Sequence, residues 1–244
     1  MKILCLMPTY GRRRELLENS LACFASQTHE EKQLWIFDDL GTLENCSRVP
    51  SGVSVISKPQ REASIADKYN VMLEIAARYG TSYDAVAVWD DDDAYLPDYL
   101  TGHAEALSRG EWSQPPVIRS TYGCRPGQTI IEPSAGRFHG SIAIRRELLE
   151  QLGGWVPTKR ADFDQQMLAA LAAHSPRAEV HGWPQYVYRW QDSGGGHCSG
   201  LMRSPDNEDW YDRYQPDSRE SIGELESRFD PVTIAIVRQR SCVA

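Results

Sequence analysis

The sequence predicts an α/β protein built on a mostly parallel, doubly wound sheet, and three observations carry that prediction. Short apolar runs of strand length alternate with amphipathic stretches of helix length through the first hundred residues. Three of the runs end in marked polar chemistry: Pro8-Thr9-Tyr10, Asp38-Asp39 and the unbroken acids Asp90 to Asp93. In an open parallel sheet the carboxyl ends of the strands share one edge, and ligands collect there. The three polar ends are therefore expected to meet.

Taken in order, Lys2 to Met7 reads as a buried strand. A helix over Arg14 to Gln27 puts Leu16, Leu17, Leu21 and Phe24 on one side. Gln33 to Phe37 and Val53 to Ile56 read as the next two strands. Ser64 to Arg78 reads as a helix with Ile65, Tyr69, Met72, Leu73 and Ala76 at core spacing, followed by a strand over Ala85 to Trp89. Pro97 marks a helix start. The second half is less regular. It offers a strand over Ser141 to Ile144, a helix over Arg146 to Leu152 broken at Gly153-Gly154-Trp155, a helix over Asp162 to Ala173 and a strand over Tyr186 to Trp190. Ser193 to Gly200 is a glycine-rich loop, Ser204 to Glu226 is polar with interspersed aromatics, and Val232 to Val237 reads as a final strand.

At 244 residues the chain fits one large domain, and 41% apolar with 25% charged residues is ordinary for a soluble globular protein. A net charge of −8 argues against nucleic-acid binding by bulk field. The six cysteines form no CxxC pair, and Cys5 and Cys23 fall in apolar segments, so reduced core thiols and a cytoplasmic location are expected. The KILCLM run is short for a signal peptide, and no stretch approaches a membrane span.

The acid run is electrostatically costly where it stands. Carboxylates about 4 Å apart repel by roughly 1 kcal/mol in water and about 4 at an effective dielectric near 20. A solvated acidic turn is one reading; a divalent cation is the other, favoured by the apolar VAVW that leads into the run. Oxygen ligands suit Mg²⁺ or Mn²⁺, which keep waters and bridge to substrate phosphates.

These pieces together resemble the family 2 nucleotide-sugar glycosyltransferases of the GT-A fold. LMPTYGRRRELLENSLACFASQTHEEKQLWIFDDLG resembles the family's opening strand, turn, helix and strand into Asp-Asp. REASIADKYNVML resembles the segment that supplies a basic residue to the nucleotide, and WDDDDAYLPDYL the metal-binding Asp-x-Asp signature. HGSIAIRRELLEQLGGW resembles the stretch beneath the acceptor site, and ADFDQQMLAAL the Glu-Asp catalytic helix, with Ala161 where the family often has Glu.

The resemblance implies one GT-A domain over 1–244: a nucleotide-binding half (1–100), an acceptor-side half with a smaller sheet (101–200) and a C-terminal extension (201–244) acting as a lid. It implies an inverting, Mn²⁺- or Mg²⁺-dependent transfer of a hexose from a UDP-sugar to a hydroxyl on a glycan or small molecule, or on a hydroxymethylated DNA base. Nucleotide-binding residues would be Pro8, Thr9, Tyr10, Arg12, Asp39, Lys68, Asp90 and Asp91, with Asp39 accepting the uracil N3–H and Asp38 capping the turn. Asp92 and His197 would hold the metal, and His139 and Trp155 would lie on the acceptor side. The general base would be Asp162, with Asp164 as fallback; an Asp opening a helix is also a plain cap. A nucleotidyltransferase and a non-catalytic nucleotide-sugar binder remain alternatives.

Overall fold

Period-two alternation in a strand buried on both faces divides its side chains between two cores. The first strand, β1 (Ile3–Thr9), does this: Ile3, Cys5 and Met7 face one apolar cluster, while Leu4 and Leu6 face the other. The computed structural model describes residues 1–9, 14–43, 50–58, 60–121, 128–158, 162–189 and 219–221. The rest of the order is α1 (Arg14–Ala25), β2 (Lys32–Asp38), β3 (Val53–Ser57), α2 (Ile65–Arg78), β4 (Ala85–Val88), β5 (Ala94–Tyr95), α3 (Tyr99–Leu107), β6 (Trp112–Gln114), β7 (Val117–Ser120) and β8 (Gln128–Pro133). A 3-10 turn (His139–Ser141) then leads to β9 (Ala143–Arg145), α4 (Arg146–Leu152), α5 (Phe163–His174), β10 (Ala178–Glu179), β11 (Tyr186–Tyr188) and β12 (Arg219–Ser221).

The main sheet has the order β10-β6-β9-β4-β1-β2-β3. Strands β4, β1, β2 and β3 run parallel, and β9 is antiparallel to both β4 and β6. From β1 the chain winds outward through β2 to β3, then returns to place β4 on the other side of β1. The crevice at the carboxyl ends of β1 and β4 is therefore the topological switch point, where such sheets bind ligands. Helices α1 and α3 cover one face with Leu17, Cys23, Phe24, Tyr99 and Leu100. Helices α2, α4 and α5 cover the other with Tyr69, Met72, Leu148, Leu149, Met167 and Leu168. Full burial of each large apolar side chain contributes about 1.5–3 kcal/mol, so this double cover dominates the stability of the sheet.

A second sheet, β12-β8-β7-β11-β5, stands beside the first. It begins immediately after the acid run, because β5 folds back to pair antiparallel with β11. This is the smaller sheet the sequence implied for the second half, although most of its strands, and β6 and β10, were not legible there. Other boundaries moved slightly. Residues 139–141 close into a 3-10 turn instead of starting a strand, because the Ser141 hydroxyl donates to the Phe138 carbonyl at 2.6 Å. The Pro97 helix begins at Tyr99. Cys5 and Cys23 are free and buried, as expected. The expected strand at Val232 to Val237 and the proposed lid at Ser204 to Glu226, save Arg219–Ser221 in β12, lie outside the described residues.

Candidate active site

The first acid turn follows β2. Asp38 is fully buried and saturated: it accepts from the amides of Leu40 (3.0 Å) and Leu43 (2.8 Å) and from the hydroxyls of Thr42 (3.2 Å) and Ser57 (3.0 Å). It is the cap of the turn. Asp39, 1% exposed, accepts from the Glu62 amide at 3.0 Å and pairs with the Lys68 ammonium at 2.7 Å. Lys68 reaches there because α2, capped by Ser64, runs beside the sheet edge, and its ammonium also donates to the Thr9 carbonyl at 3.2 Å. Lys68, expected among the nucleotide-binding residues, is paired in the structure with the carboxylate of Asp39.

The second acid turn follows β4. The strand ends at Val88, so Asp90 to Asp93 are turn residues and do not alternate between two sides as a continuing strand would require. Their contacts define them instead. Asp91 accepts from the Thr9 hydroxyl at 2.7 Å, joining the ends of β4 and β1. Asp93 is fully buried, accepting from the Tyr186 hydroxyl and from the Arg189 amide at 2.8 Å, and so anchors the turn to the second sheet. The Asp92 carbonyl accepts from Arg189 Nε at 2.5 Å. The Asp90 amide donates to the Tyr95 hydroxyl at 2.6 Å, and Tyr95 stacks on Trp89 at 3.9 Å.

Asp90 keeps part of its surface yet is densely surrounded, and its carboxyl is pushed well above the usual range, first by burial and then by Asp93, Asp92, Asp91 and Asp164. That field is the chemical argument for a cation. Among the described residues, no three His, Cys, Asp or Glu side chains converge to hold a metal by themselves. The donor set fits the other mode, in which one or two carboxylates hold a hard cation that waters and substrate phosphates complete. Asp92, the expected metal ligand, is 4% exposed; His197, its expected partner, lies outside the described residues, as do Tyr10 and Arg12. Pro8 is half-buried, paired with Phe37 in the β1–β2 register.

The two residues expected on the acceptor side are buried. His139 is 5% exposed and Trp155 1%. The Trp155 indole donates to His139 Nε2 at 2.8 Å, and burial pulls the imidazole down to about 3, so it is a neutral acceptor at pH 7. Gly154, at φ +83°, turns the chain so that Trp155 exchanges backbone hydrogen bonds with Asn70 of α2, with Asn70 Oδ1 accepting at 2.9 Å and Nδ2 donating at 2.7 Å. A Cβ on Gly140 would collide with Asp90 Oδ2, so the 3-10 turn approaches the acid run as closely as only glycine allows.

Asp162 stands at the N-cap of α5 but its side chain makes no capping hydrogen bond; Oδ1 accepts from Gln166 Nε2 at 3.0 Å. The plain-cap reading is therefore not realised. Asp164 lies in the first turn, where Oδ1 accepts from the Gln165 amide at 2.8 Å, and its charge reaches both Asp90 and Tyr69.

Arg189, buried and donating to the Asp92 carbonyl, was missed by sequence reasoning. The signal for Arg189 was its place in the aromatic run YVYRW, since an arginine buried in such a run requires acidic or carbonyl partners. Tyr69, read as core, is 1% exposed in the second apolar cluster.

The glycosyl transferase family 2 sequence model matches residues 5–129, which hold β1, the Asp38-Asp39 turn, Lys68 and the whole acid run. The fold and this edge define a GT-A glycosyltransferase, and the chain belongs to glycosyl transferase family 2. Among solved structures it is similar to S. aureus TarS 1–349 in complex with UDP-GlcNAc, at 18% identity and a TM-score of 0.63 over 87% of this chain and 64% of that one. It is also similar to S. aureus TarS 1–349 in complex with UDP, at 15% identity and a TM-score of 0.61 over 78% of this chain and 60% of that one. The chain thus spans under two thirds of the length of these structures. No curated protein sequence matches it. Among the described residues no helix is long and apolar enough to cross a membrane.

Proposed function

We propose that this enzyme transfers a hexose from a UDP-sugar to a hydroxyl of a glycan or small-molecule acceptor, with inversion and with a divalent cation bound at the acid run. One observation carries the reading. A hydrogen-bonded chain runs from Asp91 through Thr9 and Lys68 to Asp39 across the ends of β4, β1 and β2, at the switch point of the sheet. It holds a base-reading carboxylate at one end and the acid run at the other, as a nucleoside diphosphate requires. The UDP and UDP-GlcNAc complexes of the TarS structures support a uridine donor.

Asp39 reads the uracil. Its two oxygens accept from Lys68 and from the Glu62 amide, and a carboxylate oxygen has a second lone pair for the N3–H. Asp90, Asp91 and Asp92 face the diphosphate and ribose side. A cation bound by Asp92 would neutralise the diphosphate as it leaves. The acceptor oxygen attacks the anomeric carbon as the bond to UDP breaks, and its proton passes to a carboxylate at the start of α5. Asp162 is the proposed base, held by Gln166; Asp164, whose charge reaches the acid run, is the alternative.

The test is a screen of nucleotide sugars with Mn²⁺, read as UDP release through slow hydrolysis. UDP from a UDP-hexose supports the proposal. Pyrophosphate release from UTP and a sugar phosphate, or no turnover of any uridine donor, overturns it. Asp162→Asn should then lower kcat by about 10²–10⁴-fold with UDP affinity retained. That loss at Asp164→Asn and not at Asp162→Asn moves the base to Asp164.

A further inference from the structure

The 3-10 turn between β8 and β9 is built with more constraint than a connection needs. Phe138 enters it at φ +59° and ψ +63°, and among the described residues it is the one non-glycine with a positive φ. A bulky side chain rarely holds that left-handed conformation, and strain of this kind gathers at functional sites. The turn is clamped on both sides of the strain. Gln114 Nε2 donates to the Arg137 carbonyl at 2.6 Å and to the Ser141 hydroxyl at 3.1 Å, and the Phe138 ring meets Tyr188 edge-on at 5.0 Å. The two residues that follow Phe138 touch different parts of the site. Gly140 meets the acid run: a Cβ there would collide with Asp90 Oδ2 and with the Tyr186 hydroxyl, and its carbonyl accepts from the Tyr99 hydroxyl at 3.0 Å. His139 meets α5. Its ring lies edge-on to Phe163, the first residue of that helix, with centroids 5.5 Å apart and planes at 70°. Phe163 stands between Asp162 and Asp164, the two candidate bases. The same imidazole is edge-on to Tyr69 of α2 at 5.6 Å and accepts from the Trp155 indole at 2.8 Å. An indole N–H can only donate, so Nε2 is bare and the neutral ring carries its proton on Nδ1. The ring is thereby held in one tautomer and one orientation.

We propose that His139 is a positioning residue for the transfer: braced by Trp155, its imidazole sets the first turn of α5, and the carboxylates flanking Phe163, at a fixed separation from the acid run that Gly140 abuts. The path is continuous, from Phe163 to the His139 ring, along the backbone to Gly140, and from there to Asp90. A reaction that takes a proton at α5 while the diphosphate leaves from the acid run needs that separation held, because both events share one transition state. Binding of the nucleotide needs only the acid-run side. Functionally this rests on the transferase reading above; the geometric part does not.

His139→Gln keeps an acceptor for the Trp155 indole and deletes the ring. Its transfer kcat should fall about 10–100-fold, the cost of a displacement on the order of 1 Å. Its affinity for UDP and Mn²⁺ by titration calorimetry should stay within about threefold of the parent, because the lost interaction acts in the transition state. His139→Phe is the converse: it keeps a ring against Phe163 and leaves the buried indole unmatched. It should lower the melting temperature more than His139→Gln does, yet lose less kcat. Losses of kcat and UDP affinity that run in parallel in both variants make the residue merely structural and overturn the proposal, as does a kcat for His139→Gln within about threefold of the parent. Crystal structures of the parent and of His139→Gln provide the second arm. The separation between the Asp90 and Asp162 carboxylates should change by about 1 Å or more, and an unchanged separation overturns the proposal. If the parent releases UDP from no uridine donor, the transferase reading fails, and that separation alone decides whether His139 sets α5 against the acid run.

Discussion

Two acid turns stand side by side at the carboxyl edge of the main sheet, and they settle their charge in different ways. After β2, Asp38 is enclosed by four donors and Asp39 by an amide and a lysine, so the turn is complete within the protein. After β4, Asp93 is tied by Tyr186 and the Arg189 amide, and Asp91 by Thr9, but Asp90 is left in a field of like charges. Neighbouring aspartates thus divide labour. The acid with the most donors holds the backbone, and on the proposed reading its neighbour is the one that meets the ligand. The difference bears on the proposed reading: the first turn offers a carboxylate fixed by its own donors, and the second sets Asp90 among neighbouring acids.

The sharpest break in this comparison is Lys68→Met. It strips the cation from a pair whose side chains are 4% and 0% exposed. Removing one partner of a buried pair leaves the other charge uncompensated, at a cost of about 3–5 kcal/mol. Denaturant unfolding should show that loss, and Mn²⁺ should not restore it, because the damage lies in the first turn. A loss below about 1 kcal/mol would mean that the Asp39 turn does not depend on its internal cation.

Next in size is the response to metal. A cation that binds only the folded state at a hundred times its dissociation constant adds about 2.7 kcal/mol. Mn²⁺ or Mg²⁺ should therefore raise the melting temperature of the parent, and EDTA should reverse it. Asp92→Asn should abolish the shift while Asp38→Asn retains it. A shift that survives Asp92→Asn places the cation elsewhere.

Legibility in the sequence follows the same division. The parallel half was readable because its strands are continuous apolar runs and its helices carry a clear stripe: β1, β2, β3, α2 and β4 lie within a few residues of expectation. The second sheet was not, because β5, β6 and β10 are two or three residues long and owe their form to pairing across the chain, as β5 does with β11. Within the candidate site, residue identity drew out the acids but not which of them is structural. Asp38 and Asp39 look alike in sequence, and so do Asp90 and Asp93; only the donors supplied from Ser57, Glu62, Lys68 and Tyr186 separate them. Strand period cannot divide the acid run, because β4 ends at Val88, before the run begins.

The smallest effect is the most diagnostic, because its sign differs between the turns. Asp38→Asn leaves buried donors unmatched and should destabilise by about 1–3 kcal/mol. Asp90→Asn removes a repelled charge and should stabilise the metal-free protein at pH 8. The pH dependence identifies the cause. Asp90 is raised in the folded state from its ordinary 3.8, so the folded form binds the extra proton and loses relative stability as pH climbs from 3.8 through the raised value. His103 and His139 act oppositely. Burial pulls both down from 6.5 to about 3, so the unfolded chain binds the extra protons and stability falls as pH drops from 6.5 toward 3. Each group contributes at most about 1.4 kcal/mol per pH unit. In the parent the Asp90 effect opposes that of the two histidines as pH climbs above 3.8 and, being one group against two, offsets only part of it. In Asp90→Asn only the histidine slope remains, so its melting temperature should fall more steeply on acidification while starting higher at pH 8. Parallel curves for the two proteins would show that the acid run is already neutralised without metal, and would remove the distinction between the turns.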